Sequence, residues 1–343
     1  MISLKISAVV SILAVTQLGC ATVRYIAQAA KGQFEISNRT KPIADVIKSP
    51  QTSESLKRLL QEVPAIKAFG ESKGLKATKN YESYVDLKRP YVVWVVSASE
   101  KLAFKARSWS FPIVGSFTYM GWFSEEAAAK QARSLTEEGF DADVRGASAY
   151  STLGWFNDPI INTMILPGDK AEGGLVNLLL HESVHATFYR DGQSTFNEGL
   201  AVFVADRLAP EYLAEKFGKN SKELAAYREH EERGDAYGSK MKAAYESLDA
   251  LYASSVPDAE KLEKKAGIYE KLTKDLSARR TLNNASLIQY KTYGTGLKEF
   301  QSLFERCGED WGRFWSAVRT IDKKSFESEQ MDAIGSVIDR VRC

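Results

Sequence analysis

The residues most able to do chemistry are His181-Glu-Ser-Val-His185, an HExxH pattern in a chain with only three histidines. Four residues is about one helical turn, so His181 and His185 project from the same face of a helix. Two neutral imidazoles so placed can chelate one Zn²⁺. Glu182 lies one residue round from that face. It can reach a water beside the metal without ligating the metal, and it can take that water's proton. The flanking residues Leu178, Leu179, Leu180, Val184 and Phe188 make the helix largely buried. Two buried imidazoles and a carboxylate with nothing to bind are costly to desolvate, which favours metal binding over a structural role.

A catalytic zinc takes three protein ligands and keeps one position open. Glu198, in Phe196-Asn-Glu198, is the expected third ligand. The Asp191-Gly192 turn lets the following helix begin near Thr195 and bring Glu198, in its first turn, opposite the histidines. The alternative for Glu198 is an acid favoured by the helix dipole. His230 is the weaker candidate because charged neighbours surround it; as a fourth, closing ligand it would favour a metal that only staples helices. Asp206, two turns beyond Glu198, is an acid in an apolar run. Its expected partner is a histidine's other nitrogen, which would raise ligand basicity, or else Arg207, Arg190 or Arg280. Asn197 either fixes Glu198 or meets a substrate terminus. One of Tyr290 and Tyr293, Tyr290 first, can donate to an oxyanion, the alternative being that both simply pack; Arg280 can bind a substrate carboxylate or pair with Asp206. Tyr150 lies in Ala149-Tyr-Ser-Thr-Leu-Gly-Trp-Phe156, either a substrate-lining edge or a core strand and turn. An aminopeptidase also needs an acid for the substrate's α-amine, for which Glu125, Glu126 and Asp158 are available.

The elements that must position these residues follow from periodicity. Residues 91–96 read as a buried strand, 111–120 and 141–150 as further strands, and 124–138 as a helix capped by Ser124. Beyond residue 173 the pattern is helical: 177–189, 197–217, 221–251, 259–278, 282–304, 310–320 and 326–341. A helical repeat over 52–69 carries an expected break at Pro64. The fold class is α+β, with 20–89 a helical segment, 90–220 the catalytic core and 221–343 a helical region packed on it.

The chain has 343 residues, 46 Lys plus Arg and 44 Asp plus Glu, for a net charge of +2. That balance gives no argument for a nucleic-acid partner, and nothing indicates an obligate protein partner. Three cysteines exclude a cysteine-dense scaffold and a four-cysteine metal site. Residues 1–19 are short and mostly apolar, with Gly19 directly before Cys20, so they read as an export signal ending at a lipidation cysteine. A plain signal peptide and an uncleaved anchor are the alternatives. Lipid on Cys20 would place the chain on the periplasmic side of a bacterial envelope, at the outer membrane by the residue after the cysteine. Cys307 and Cys343 would then face an oxidising space and either pair or stay as buried and terminal thiols.

HExxH followed by Asn-Glu-x-x-Ala resembles zinc metallopeptidases with a glutamate third ligand. More of the chain resembles the putative aminopeptidase family of bacterial lipoproteins. The residues that carry this are Gly19-Cys20 with Tyr25, Gln28, Ala29 and Gly32-Gln33; Ser83-Tyr84; Arg89-Pro-Tyr-Val-Val-Trp94; Phe111-Pro112; and Gly121-Trp-Phe123. Farther on come residues 149–156 with Asp158-Pro159, then Phe196-Asn-Glu198, Leu282-Asn-Asn-Ala285, Tyr290 and Cys307-Gly308. Ser183 and Ala186 are smaller than is usual around the motif, which removes no ligand. The resemblance implies a zincin-like fold, one zinc ion, a peptide substrate and aminopeptidase action; the residues themselves leave a zinc endopeptidase, a cell-wall amide hydrolase and a non-catalytic lipoprotein stabilised by its metal as alternatives.

Overall fold

A computed structural model describes residues 20–111, 115–149, 157–292 and 294–343. Residues 1–19, the expected signal, and Tyr150 and Tyr293 lie outside the described residues. The chain opens with helix α1 (Cys20–Arg39), strand β1 (Lys41–Pro42), α2 (Ile43–Lys48) and α3 (Glu54–Ser72). The side chain of Ser53 caps α3 by accepting from the Leu56 N–H. The expected break at Pro64 does not occur. Pro64 removes one hydrogen bond, but Leu60, Val63 and Ile66 around it are almost fully buried and hold the helix straight through.

Next come β2 (Ser83–Val85), β3 (Val93–Ser99), β4 (Trp109–Phe111), β5 (Gly115–Phe117), β6 (Tyr119–Trp122), α4 (Glu125–Glu137), β7 (Asp141–Ala147) and β8 (Ile160–Ile161). The strand expected over 111–120 is thus divided among three short ones. Three small sheets result: β1-β2-β8, with β2 and β8 parallel; the antiparallel β6-β3-β7; and the β4-β5 pair. β3 is apolar on both faces because both are covered. Val93 and Val95 join Val85, Ile161 and Ile36 on one side. Trp94, Val96 and Ala98 meet Ala128 and Leu135 of α4 on the other. The open edge of β6 is occupied by α1. Tyr25 accepts from the Gly121 N–H at 3.2 Å, and Gln28 donates to the Gly121 carbonyl and accepts from the Phe123 N–H, both at 3.0 Å.

The helical part follows: α5 (Ala171–Thr187), α6 (Ser194–Phe217), α7 (Lys222–Ala253), α8 (Asp258–Asp275), α9 (Asn284–Leu287), α10 (Leu297–Arg306), α11 (Trp311–Arg319) and α12 (Gly335–Asp339). The largest core gathers Leu175, Leu179 and Leu180 of α5 with Phe196, Leu200, Val204 and Leu208 of α6. Around them stand Leu60 and Ile66, Phe300 and Phe304, and Phe314 and Trp315. α5 is apolar nearly all round because other elements surround it.

Two expected helices are corrected. The stretch 282–304 is interrupted after a 3₁₀ turn at Ile288–Thr292, where Gly294 (φ +69°) and Gly296 (φ +83°) adopt left-handed conformations and reset the chain before α10. The stretch 326–341 keeps only α12. Its first part spends its backbone on the loop before α6: the Gln330 N–H donates to the Gly192 carbonyl at 2.6 Å, the Met331 N–H to Gln193 Oε1 at 3.1 Å, and Gln193 Nε2 to the Ser328 carbonyl at 2.7 Å. Cys307 and Cys343 form a disulfide with Cα atoms 5.1 Å apart, closing the C-terminal segment onto the end of α10. No helix among the described residues is long and apolar enough to cross a membrane.

Candidate metal centre

The last turns of α5 present His181 and His185, and α6 presents Glu198. α5 stops at Thr187, and Phe188 turns extended (φ −150°, ψ 126°). Asn197 then clasps the connection in both directions. Its Oδ1 accepts from the Arg190 N–H, and its Nδ2 donates to the Arg190 carbonyl, each at 2.8 Å. This buried side chain therefore sets the start of α6 against the end of α5. Glu198 falls just past the first turn of α6, so the dipole explanation for an acid there loses its basis. Gly199 beside it allows close approach: a Cβ at that position would sit 2.9 Å from the Thr295 carbonyl oxygen.

The geometry is compact. His181 Nε2 and His185 Nε2 are 3.2 Å apart. Glu198 Oε2 is 3.4 Å from the first, and Oε1 is 3.4 Å from the second. The rings stand at 84° to one another. Around a zinc with bonds of about 2.0–2.1 Å, the edges of a tetrahedron are about 3.3–3.4 Å. Each histidine stands about one such edge from the other and from the nearer of the two Glu198 oxygens, and one ligand atom from each of the three residues lies within 4.8 Å of the other two, so the set can close on one ion. It is also the one group of metal-capable side chains found among the described residues. The histidine side chains are about one-fifth accessible and that of Glu198 is 62% accessible. The site thus opens toward solvent on the glutamate side, where water and substrate can enter.

Electrostatics divide the two rings. Burial opposes charge on His181, but the Glu198 carboxylate bonded to it, with Glu182 and Asp206 nearby, outweighs burial and raises its pKa. Burial and the neighbouring His181 push His185 down to about 4. Burial alone would raise Glu198, yet the two histidines hold it below the usual carboxylate range. Glu182 is raised, first by burial and then by the charges of Glu198 and Asp158, against the pull of His181. A carboxyl raised in this way is a better proton acceptor at neutral pH.

Several expected residues stand elsewhere. Asp206 accepts from Asn177 Nδ2 at 2.9 Å rather than from a histidine, although its charge reaches His181. The arginines read as its partners are engaged otherwise. Arg207 pairs with Glu309 at 2.9 Å, Arg190 donates to the Ile321 carbonyl at 2.6 Å, and Arg280 pairs with Asp143. Tyr290 packs against Tyr237, with ring centroids 6.3 Å apart, and its phenol faces Tyr237, Arg145 and Arg280. His230 is flanked by Lys170 and Arg233 and stands outside the donor group. A groove of about 910 Å³ beside Lys265, Tyr269 and Arg280 shares no residue with the metal-capable group.

Two tyrosines near the site have no obvious sequence signal. Tyr189 is 44% exposed, and its ring meets His185 edge-on at 6.1 Å. Burial raises its phenol, and the charges of Glu198 and Asp191 raise it further, while a hydrogen bond with the Asn197 side chain lowers it. The only hint in the sequence is a phenol one helical turn past His185. Tyr81 is 4% exposed, and its buried phenol faces Glu182 and Asp158. Its backbone sits at φ +64°, and its N–H donates to the Asp158 carbonyl at 2.8 Å. A positive φ at a tyrosine is strained and is held by its surroundings; no local pattern announces it.

The profile of the family described as "Putative aminopeptidase" matches residues 24–332, and the chain belongs to that family. Membership points to a peptidase and to a peptide substrate. No curated protein and no solved structure matches the chain.

Proposed function

We propose that the chain is a zinc-dependent peptidase with a zincin-like core, acting as an aminopeptidase, in which His181, His185 and Glu198 hold one zinc ion. The observation that supports this is the convergence of His181, His185 and Glu198, with one ligand atom from each lying within 4.8 Å of the other two. Zinc bound there supplies Lewis acidity, which acidifies a water and polarises the scissile carbonyl. Glu182 takes the proton from the attacking water and returns it to the leaving amine. Tyr189 donates its phenol to the developing oxyanion, a role we move from Tyr290 because Tyr189 is the phenol beside His185 and Glu198. Asp158, whose charge reaches Glu182, is our candidate to meet the substrate's α-amine. Cys20 carries the lipid that fixes the chain to the outer membrane, facing the periplasm.

The test joins metal analysis to cleavage of a peptide library with free and acetylated N-termini. The expected result is one zinc per chain and stepwise release of N-terminal residues from the free peptides alone. Glu182→Gln should keep the zinc and lose cleavage by at least about a hundredfold. Bound zinc with no cleavage would leave the metal a structural staple and overturn the proposal.

A further inference from the structure

α1 has two unlike faces. Tyr25, Gln28, Gly32 and Ile36 meet β6 and the core, with the Phe123 ring lying over Gly32. The opposite side is apolar and uncovered. Ile26 is 46% exposed and Phe34 67% exposed, the latter the most exposed large apolar side chain among the described residues. Exposed Ala30 stands between them, and the four-residue steps place all three on one stripe. Exposed Arg24 and Lys31 run along its border, and neither has an ion-pair partner among the described residues, whereas Arg39, Glu35 and Arg89 pair with one another.

An apolar stripe edged by uncompensated cations is what a helix lying in a membrane interface presents. Position supports the same occupant. α1 begins at Cys20, so at a rise of 1.5 Å per residue Ile26 and Phe34 stand about 9 and 21 Å along the axis from the attachment residue. We propose that this face of α1 lies flat on the phospholipid surface, with Ile26 and Phe34 among the upper acyl carbons and Arg24 and Lys31 against anionic headgroups. Because the other face of α1 grips β6, docking fixes the orientation of the sheet, and not only its distance, relative to the bilayer. The inference rests on the membrane attachment proposed above, and its test separates the two.

Full-length protein is reconstituted into vesicles of phosphatidylethanolamine and phosphatidylglycerol. Ile26→Cys and Phe34→Cys each carry an environment-sensitive fluorophore, with Glu137→Cys on α4 as the exposed control. Flotation reads attachment; quenching by brominated lipid reads docking. The expected result is co-flotation, with lipid quenching at 26 and 34 at least fivefold above that at 137. Arg24→Gln with Lys31→Gln should weaken quenching in these vesicles and leave it unchanged in purely zwitterionic ones. Co-flotation with equal aqueous iodide quenching at all three positions overturns docking and leaves attachment standing. A chain that does not float overturns both. Protection that grows with the protein-to-lipid ratio assigns the face to a second copy and overturns the bilayer proposal.

Discussion

Two clusters of polar side chains meet buried surroundings in opposite ways. Around Asn284, which is fully buried, every polar group is answered. Its Oδ1 accepts from Tyr252 and Tyr269 at 2.7 Å each. Its Nδ2 donates to the Glu100 carbonyl at 2.8 Å, and its N–H donates to Asp141, which also takes a bond from Lys265. Where α5 ends and α6 begins, by contrast, His181, His185 and Glu198 turn toward one another, and the glutamate side chain is largely accessible. A saturated cluster fastens segments together. A convergent, accessible one is where we propose that the zinc binds.

The sharpest way to break the contrast is to remove one member of each cluster. Glu198→Ala should weaken zinc binding by more than about a hundredfold, since losing even a supporting partner costs 10–100-fold. The metal-free chain should melt within about 1 kcal/mol of the parent, because the side chain is largely accessible. Equilibrium dialysis and thermal melts read the two effects. Asn284→Ala should do the reverse. It takes a partner from two tyrosine hydroxyls and from the Glu100 and Lys101 carbonyls, so a loss of about 3 kcal/mol in denaturant unfolding is expected, with zinc stoichiometry unchanged. A stable Asn284→Ala, or one that loses metal, would dissolve the distinction.

Smaller effects sharpen it. Tyr189→Phe removes one donor and keeps the ring against His185. kcat should fall by about tenfold to a hundredfold with KM nearly constant; a change confined to KM would make Tyr189 a binding residue instead. Glu231 tests the border of the site. Burial, then the charges of Asp206 and Asp235, push its carboxyl up to about 7, from 4.5 as the unperturbed value. Across that interval the native chain holds a proton that the unfolded chain releases, so stability falls as pH rises from 4.5 to 7. Glu231→Gln should therefore raise stability by about 1–2 kcal/mol at pH 8 and leave it unchanged at pH 4. Melting temperatures at the two pH values check the sign.

Sequence pattern reached the donor group because its information is local. HExxH fixes two rings by helical spacing, and a short turn returns the chain so that Glu198 can face them. It gave no sign of the burial of Tyr81 or of the packing of Tyr290 against Tyr237, because the surroundings of both come from segments far apart in the chain. Asn284 is the extreme case: its partners lie near residues 100, 141, 252 and 269, and nothing next to it names them. The same reason explains the helix expected over 326–341. Its apolar repeat is real, and Phe326, Ile334, Val337, Ile338 and Val341 are buried, but hydrogen bonds to residues 192–194 outcompete the helical ladder, and that competition is invisible without the fold.

The hold of Tyr25 and Gln28 on β6 has a practical consequence. Together they take up main-chain groups on a strand that would otherwise invite another chain to pair with it. Shortening the protein past Gln28 to make it easier to handle would strip away that guard. The trimmed molecules should then tend to zip together strand against strand, and a cut placed before Tyr25 avoids the problem.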